Sequence, residues 1–473
     1  MISPITFGTS GARGVTNVEI TPAHGLAVGT LYAESCYERA EARGQNIPRL
    51  LVARDQRSGA DMLSNMVIAG MRSAGAQVVD LGETPTPVAL TWLTGHPGFD
   101  GAVLVTGSHM GPDRIGLIPI NANGTYCWSD VTRPLEDAIP GFFETPRQGV
   151  HPLKQMRLVQ SIDPMDRDRF YVERALKGVD PSVIRSKNFR TLIDPGNATG
   201  TAVSRALLRE LGCEVTVING EPQIIPNRPS EVRPKNCGVA MGITRGLGLD
   251  LGACFDGDAD RVMFITADGI ALAEDVVAAI FAKAVLQAGD VCVSTINTSG
   301  LMAEVCRNIG ARLVHCRIGQ PDTGRVVLQH GARYASEPSA KYWFGDLFNW
   351  YDGPFAVAKM LEIMAMRGMT LAELAAELPV YHQCPDNIDL PDDRKAAVCA
   401  EVIRRLRQRL VEDIVKEDDM DGIRFTLRDG SWLLVRPSGT EPLCRVYSDS
   451  ANEERARSLT ALGTELFTEV LAT

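Results

Sequence analysis

The amino-acid sequence predicts an α/β protein with three similar α/β units and a smaller α+β domain at the carboxyl end. Short apolar runs alternate with segments of helical spacing in three successive rounds, which favours βαβ units and a largely parallel sheet. The chain has 473 residues, too many for one core, because domains usually hold roughly 100–200 residues. Alternating apolar and polar residues near the end indicate a separate antiparallel sheet.

The first unit covers residues 1–155. A helix is predicted at Met62–Ala74, and strands are predicted at Arg49–Asp55, Gln77–Gly82 and Gly101–Thr106. The last of these strands leads directly into Gly107-Ser108-His109. Ligands of parallel sheets bind beyond the carboxyl ends of the strands, so function is expected at Ser108.

The same cycle recurs in residues 156–268 and 269–380. In the second unit, strands at Thr191–Asp194, Glu214–Ile218 and Leu251–Phe255 accompany a helix at Ala202–Leu211. In the third, helices at Val276–Gln287 and near Leu301–Ile309 accompany strands at Val291–Thr295 and Arg312–Cys316.

The last domain covers residues 381–473. Two strands flank Asp429-Gly430, which is a strong hairpin signal. The predicted elements are a helix at Asp392–Val411, strands at Ile423–Leu427, Trp432–Arg436 and Leu443–Tyr447, and a closing helix at Glu453–Val470. Three prolines within Glu377–Asp392 predict a linker there.

Composition excludes several classes of function. The net charge of −10 argues against a nucleic-acid partner, although a local basic cleft can still bind phosphate. The 11 cysteines are odd in number and form no C-x-x-C, which argues against a zinc ribbon and a secreted disulfide scaffold. The amino terminus lacks signal-peptide features, and no apolar run reaches the ~18 residues of a membrane span. A soluble cytoplasmic protein without a membrane partner is expected.

Asp256, Asp258 and Asp260 form the pattern Asp-Gly-Asp-Ala-Asp-Arg directly after a strand. In a loop, carboxylates at i, i+2 and i+4 can converge on one hard cation, and Mg²⁺ prefers oxygen ligands. A calcium EF-hand is rejected, because its glycine and glutamate positions hold Arg261 and Ala267. A solvated acidic turn is the alternative.

Ser108 follows Thr106-Gly107 at a strand end. A serine there is usually a helix cap or a turn residue. The functional interpretation is a nucleophile that carries a phosphoryl group, whose charge a metal ion held by the aspartates would neutralise. His109 could assist electrostatically or by proton transfer, or could be an ordinary packed histidine.

A third motif runs Arg436-Pro-Ser438-Gly439-Thr440-Glu-Pro. Arg436 offers a forked cation suited to phosphate, and the following hydroxyls and backbone N–H groups can form an anion-binding nest. Arg445 could reinforce this positive field. An ordinary β-turn is the alternative interpretation.

Two weaker segments complete the set. Phe7–Gly14 is a glycine-rich loop that contains Arg13 and is not a P-loop. Glu337 and Ser339 present a carboxylate and a hydroxyl suited to sugar hydroxyl groups.

These five segments, in this order, resemble the α-D-phosphohexomutase family over essentially the whole chain. The resemblance implies four domains around a central cleft, with Ser108 as phosphoserine and catalytic help from His109 and Arg13. It implies that Ser108 and the three aspartates hold Mg²⁺, and that hexose 1,6-bisphosphate acts as activator. Substrate binding is assigned to Arg261, Glu337, Ser339 and Lys341, and binding of the distal phosphate to Arg436, Ser438, Gly439, Thr440 and Arg445.

The sequence also departs from the family pattern. The usual asparagine and lysine after the active serine are Ile115 and Ile118 here, and the usual Gly-His of the sugar loop is Ala340-Lys341. The Gly-His-x-x-x-Lys pattern of the third domain is also altered, with Arg325 nearby. Lys341, Arg114 or Arg325 could supply the missing positive charge.

Three functions are therefore weighed. We favour an active mutase that interconverts hexose 1-phosphate and hexose 6-phosphate through a bisphosphorylated intermediate. A catalytically weakened paralogue that binds phosphosugar as a sensor or partner protein is the alternative. A phosphatase that uses Asp256 as nucleophile would not need the motif at Arg436. The sequence predicts neither the particular hexose nor the oligomeric state.

Overall fold

The computed structural model describes residues 2–144, 158–438 and 442–472. The chain divides into two compact units: Met1–Leu272 with Ser339–Leu374, and Ala273–Pro338 with Ala375–Thr473. Within the described ranges, no helix has both the length and the apolar character needed to cross a membrane. All eleven cysteines are free thiols.

The first sheet of the first unit has seven strands in the order β1-β2-β6-β5-β3-β4-β7. Helices α1 and α3 pack against each other over its apolar core, which includes Val28, Val67 and Val103. The strands are β1 Phe7–Gly8, β2 Gly11–Val15, β3 Arg49–Arg54, β4 Gln77–Glu83, β5 Gly101–Val105, β6 Arg114–Asn121 and β7 Gln160–Ser161. The helices are α1 Pro22–Ser35, α2 Tyr37–Ala42, α3 Ala60–Ser73, α4 Thr86–Gly95, α5 Ser129–Ala138 and α6 Pro164–Leu176.

The second sheet of this unit has four strands in the order β11-β10-β8-β9. Its strands are β8 Arg190–Asp194, β9 Glu214–Val217, β10 Leu251–Phe255 and β11 Val262–Thr266. The helices around it are α7 Pro181–Arg185, α8 Thr201–Glu210 and α9 Gly238–Gly246. A short strand β15 Lys341–Phe344 and the helices α13 Gly353–Arg367 and α14 Leu371–Ala376 also belong to this unit.

The second unit contains a third α/β sheet and an antiparallel one. The α/β part comprises α10 Glu274–Val285, β12 Val291–Thr295, α11 Gly300–Ile309, β13 Arg312–Cys316, α12 Gln320–His330 and β14 Tyr334–Glu337. The antiparallel sheet has the order β16-β20-β19-β18-β17. It comprises β16 His382–Asp389, α15 Asp392–Arg409, β17 Ile414–Asp418, β18 Ile423–Leu427, β19 Trp432–Pro437, β20 Leu443–Ser450 and α16 Glu453–Leu471.

The three α/β units repeat one topology. Each contains three consecutive strands in which the last lies next to the first, and the middle one lies on the other side of the first, as in β5-β3-β4, β10-β8-β9 and β14-β12-β13. In the first two units a fourth strand returns antiparallel to the third, β6 beside β5 and β11 beside β10. The hairpin loops that join them carry Ser108 and the aspartates. The predicted fold class of three α/β units and a smaller α+β domain is confirmed.

Two local predictions need correction. The first sheet is mixed rather than largely parallel, because β6 turns back antiparallel to β5 and pairs with the antiparallel strand β2. The second sheet is largely parallel, with β11 as its one antiparallel strand. The predicted linker Glu377–Asp392 contains the eight-residue strand β16, which pairs with β20 from His382 to Asp389. Its Pro385 is tolerated because β16 is an edge strand, where a missing N–H can face away from the ladder. The domain boundaries at residues 155, 268 and 380 stay predictions.

Candidate active site

The three aspartates lie together in the loop between β10 and β11. Asp256, Asp258 and Asp260 are buried, and one carboxylate oxygen of each lies within 4.8 Å of the others. This is the one cluster of His, Cys, Asp or Glu with metal-ligand spacing in the part of the chain that the structure describes. The solvated acidic turn considered from sequence is therefore excluded.

Other chain segments fix the shape of this loop by binding its carbonyl groups. The Arg228 guanidinium donates to Phe255 O at 2.7 Å. The backbone N–H of Thr86 donates to Asp258 O at 2.9 Å. At the far end, the backbone N–H of Gly353 at the start of α13 donates to Ala259 O at 3.1 Å.

Ala259 adopts φ 58°, in the left-handed region that non-glycine residues rarely enter. Such a backbone persists only where its surroundings over-determine it. The contacts to the loop carbonyls supply that constraint, and the resulting tight turn brings alternate carboxylates to one point.

The donor set fits a magnesium ion. The Oδ1 atoms of Asp258 and Asp260 are buried and accept no hydrogen bond. Buried carboxylate oxygens without a hydrogen bond are costly, and a hard divalent cation satisfies them. Thr86 Oγ1 donates to the other oxygen of Asp258 at 2.8 Å, which leaves Oδ1 turned to the cluster.

Ser108 meets this cluster directly. Its hydroxyl donates to Asp256 Oδ2 at 2.8 Å, across 148 positions of the chain. The side chain is buried, and the residue adopts φ 49°. The hydroxyl therefore lies within hydrogen-bonding distance of the aspartate cluster. The mechanism inferred from the sequence requires this proximity.

A buried ion pair that sequence reasoning did not assign to the site positions the serine loop. Arg57 Nε lies 2.8 Å from Asp55 Oδ2, and the guanidinium donates to Ser108 O at 2.6 Å. Asp55 Oδ2 accepts from Thr106 Oγ1 and from the N–H of Gly107. The signal for this pair was two charged residues directly after an apolar strand.

Three cations surround the aspartates. Lys341 Nζ lies 2.9 Å from Asp260 Oδ2, and Arg261 Nε lies 3.6 Å from Asp256 Oδ2. Burial lowers the pKa of Arg13, while the charges of Tyr126, Asp258 and Asp260 oppose this effect. Arg13 therefore lies within electrostatic reach of the same carboxylates.

The environment separates the protonation of the three carboxyl groups. Burial and the two neighbouring carboxylates raise the pKa of Asp256 well above its usual range, and they raise the pKa of Asp258 in the same direction. Burial also acts on Asp260, but Lys341 and Arg261 outweigh it and lower that pKa. Asp260 is thus the member whose negative charge the protein itself stabilises.

His109 lies next to the serine hydroxyl, with Nδ1 3.5 Å from Ser108 Oγ. Burial, followed by the charges of Arg261, Arg13 and Lys341, lowers the pKa of His109 far below its usual value. The imidazole is therefore neutral near pH 7 and is suited to hydrogen bonding rather than to proton donation as a cation.

The predicted sugar-binding residues lie around a strand-to-strand connection. Glu337 ends β14 in the second unit, while Ser339 and Lys341 belong to the first. The Ser339 hydroxyl is buried and accepts or donates no hydrogen bond. A sugar hydroxyl is one group that could pair with it, and its role stays a prediction.

Two of the predicted phosphate-binding residues, Arg436 and Arg445, lie on the antiparallel sheet. Arg436 on β19 is paired across the strands with Arg445 on β20, and Arg436 Nε lies 2.9 Å from Asp421 Oδ2. Lys395, which sequence reasoning missed, donates from α15 to Ser438 O at 2.9 Å. Gly439 and Thr440 lie outside the described residues.

The structure separates the two isoleucines that replace family residues. Ile115 belongs to the apolar core under α1 and α3. Ile118 faces the opposite side of β6, the side of Gly116, which pairs with Arg13 on β2. Arg114 and Arg325 are about half exposed and lie near Glu19 and Asp322 respectively.

Comparison with known proteins assigns all four domains to one family. Domain I of phosphoglucomutase/phosphomannomutase matches residues 4–142, domain II residues 169–269, domain III residues 273–381 and the C-terminal domain residues 387–462. The chain belongs to the phosphoglucomutase/phosphomannomutase family, a family of phosphohexomutases, and the resemblance inferred from sequence is confirmed.

Individual relatives bear different names. The chain is 33% identical over 470 residues to a phosphoglucomutase/phosphomannomutase of Thermococcus kodakarensis, covering 98% of this chain and 99% of the relative. It is 32% identical to a phosphopentomutase of the same organism, covering 96% and 95%. Among solved structures, a phosphoglucomutase/phosphomannomutase family protein from Burkholderia thailandensis superposes with a TM-score of 0.83 at 22% identity, covering 99% and 98%.

Proposed function

We propose that this protein is a phosphosugar mutase that interconverts hexose 1-phosphate and hexose 6-phosphate through phosphoserine at Ser108. The observation that carries the proposal is the 2.8 Å hydrogen bond between Ser108 Oγ and Asp256 Oδ2. Through this bond, a buried hydroxyl lies next to three convergent carboxylates and three cations. Transfer of a phosphoryl group needs mainly positioning and charge stabilisation, which such a place supplies.

In the first half-reaction, the P–Oγ bond of phosphoserine breaks and a P–O bond forms to a hydroxyl oxygen of the sugar phosphate. The sugar hydroxyl gives up its proton to a base, and Ser108 Oγ is released as an alkoxide that regains a proton. The sugar is then bisphosphorylated. After it turns round, its other phosphoryl group returns to Ser108 and the isomeric monophosphate leaves.

The residues have distinct tasks in this scheme. Asp256, Asp258 and Asp260 would hold a magnesium ion, which when bound neutralises charge on the phosphoryl group. Arg57 and Asp55 keep the serine loop in position, and the neutral His109 lies beside the transferring group. Glu337 and Ser339 would bind sugar hydroxyls, and Arg261 the substrate near the transferring group.

Arg436 and its neighbours would bind the phosphate at the end of the sugar that is not reacting. Arg436 and Arg445 are aligned on neighbouring strands, and Ser438, Gly439 and Thr440 follow in the chain. Guanidinium groups bind phosphate through paired hydrogen bonds. This clamp distinguishes the proposal from a simple phosphatase, which needs no grip on a second phosphate.

The test is turnover with a panel of substrates. The protein is incubated with Mg²⁺, a trace of the matching bisphosphate and the 1-phosphate of glucose, mannose or glucosamine, and the products are followed by phosphorus NMR. Because one relative is named a phosphopentomutase, a pentose 1-phosphate is included in the panel. Formation of the isomeric sugar phosphate supports the proposal. Binding without turnover would favour the phosphosugar-binding paralogue, and release of free phosphate would favour a phosphatase.

A further inference from the structure

Lys341 is placed unusually for a residue of a sugar-binding loop. Its side chain is 3% exposed, and its ammonium lies 2.9 Å from Asp260 Oδ2. The ammonium also lies 5.2 Å from the centre of the Tyr351 ring. A buried lysine survives in such a place when its charge is paired, and here the partner is a predicted metal ligand.

Asp260 therefore has two differently employed oxygens. Oδ2 pairs with Lys341, whereas Oδ1 accepts no hydrogen bond and lies 3.8 Å from Arg261 Nε. One carboxylate joins the lysine to the cluster of predicted metal ligands.

Three carboxyl groups and three cationic side chains lie together at the cluster. The carboxylates of Asp256, Asp258 and Asp260 face the cations of Arg13, Arg261 and Lys341. Ile118 carries no charge. Arg114 and Arg325, the other replacements considered, are about half exposed. An exposed charge acts weakly because water screens it.

We propose that Lys341 is a catalytic residue of the phosphoryl-transfer centre: its buried ammonium supplies a fixed positive charge at the aspartate cluster, and shares Asp260 with the metal ion. The proposal rests on the proposed mutase function for its catalytic part only. The sequence predicted that Lys341 binds the substrate, whereas this proposal assigns Lys341 to the transferring phosphoryl group. The positive charge of Lys341 would then stabilise a phosphoryl group on Ser108 and weaken the binding of a divalent cation.

The opposite responses give the test. In a chain that carries Ser108→Ala, so that no phosphoserine is present, Mn²⁺ binding is titrated by electron paramagnetic resonance. Lys341→Met removes a like charge from the metal site, and we expect the affinity for Mn²⁺ to rise by roughly tenfold. A merely structural lysine would have the reverse effect, because its loss would loosen Asp260.

Two further variants make the result interpretable. Lys341→Gln can still donate to Asp260 without charge, so it carries the same expectation if Lys341→Met fails to fold in a thermal melt. The matched control is Lys359→Met, which removes another largely buried lysine that pairs with Glu362 and donates to Gly178 O. A distant site should change Mn²⁺ affinity by less than about twofold.

The catalytic part is measured separately in the chain with Ser108 intact. Lys341→Met should lower kcat by roughly 10²–10³-fold, as for loss of one charge-stabilising donor, with a much smaller change in KM. Lys341→Arg should recover part of this loss. If the Lys341 variants bind Mn²⁺ more tightly but the unchanged protein has no mutase activity, the position of the Lys341 charge at the metal site is supported and the proposed function is overturned. Unchanged or weaker Mn²⁺ binding in the folded Lys341→Met and Lys341→Gln variants would overturn the role of Lys341.

Discussion

The serine–aspartate centre and the Arg436 region are built in different ways. The first joins residues far apart in the chain, such as Ser108 with Asp256 and Asp260 with Lys341, and most of its charges already meet a partner inside the protein. The second aligns Arg436 and Arg445 on adjacent strands of one small sheet, and Asp421 pairs with Arg436 there. In the proposed function, the first holds the reacting group and the second holds an anion that arrives with the substrate.

The largest expected effect concerns the serine. Ser108→Ala should reduce mutase turnover by at least ~10⁴-fold, because it removes the group that carries the phosphoryl between the two half-reactions. Turnover is measured with the substrate that performs best in the panel. The exposed Ser58→Ala is the matched control and should keep full activity. Normal turnover by Ser108→Ala would end the proposed mechanism.

The next effect tests whether the first region depends on its internal ion pairs. Arg57→Met leaves Asp55 buried without its partner, and breaking such a pair costs about 3–5 kcal/mol of the free energy of unfolding. Denaturant unfolding measures this loss. Arg54→Met, at the exposed pair with Glu83, should cost about 0–1 kcal/mol. Equal losses in both variants would show that the Asp55–Arg57 pair is not a special support.

What the sequence could predict follows the same division. Motifs that are continuous in the chain were readable: Asp256 to Asp260 needs only one loop, and strand β10 ends as predicted at Phe255. Partnerships across the fold were not readable. The distance between Lys341 and Asp260, and the grip of Arg57 on Ser108 O, depend on how separate segments pack.

The misread segment has a local cause. The linker was predicted from Pro379, Pro385 and Pro391. The residues of β16 nevertheless alternate between half-buried and exposed, which is the pattern of a strand. Periodicity was the better guide there, because proline is compatible with an edge strand.

A smaller effect is expected in the second region. Arg436→Met should raise the KM for the sugar monophosphate by roughly 30-fold, about 2 kcal/mol, since charge-assisted hydrogen bonds contribute on this scale. Phosphoserine formation from a bisphosphate donor should be less affected than KM. The exposed Arg404→Met on α15 is the control. A loss confined to kcat would contradict a role in holding the distal phosphate.

The smallest effect concerns pH and the buried Asp352 at the start of α13. Burial raises the pKa of Asp352 to about 7, against hydrogen bonds from Tyr171 and Phe355. The folded state therefore holds this proton more tightly than the unfolded state, and the stability it contributes is lost as the pH rises from about 4 to about 7.

Asp352→Asn cannot lose this proton. The difference in free energy of unfolding, variant minus unchanged protein, should therefore increase by on the order of 1 kcal/mol from pH 5 to pH 8, because only the unchanged protein loses stability over this range. Denaturant unfolding at both pH values measures the difference. The exposed Asp137→Asn should show no such trend, and a relative stability that falls with pH would contradict the assignment to Asp352.

The central claim is that Ser108 accepts the phosphoryl group next to the aspartate cluster. Peptide mapping by mass spectrometry after incubation with a hexose 1,6-bisphosphate and Mg²⁺ tests it most directly. The account predicts one phosphoryl group, on Ser108, that disappears when a hexose monophosphate is added and the bisphosphate re-forms. A phosphoryl group on Asp256, or release of free phosphate with Ser108 unmodified, would contradict it.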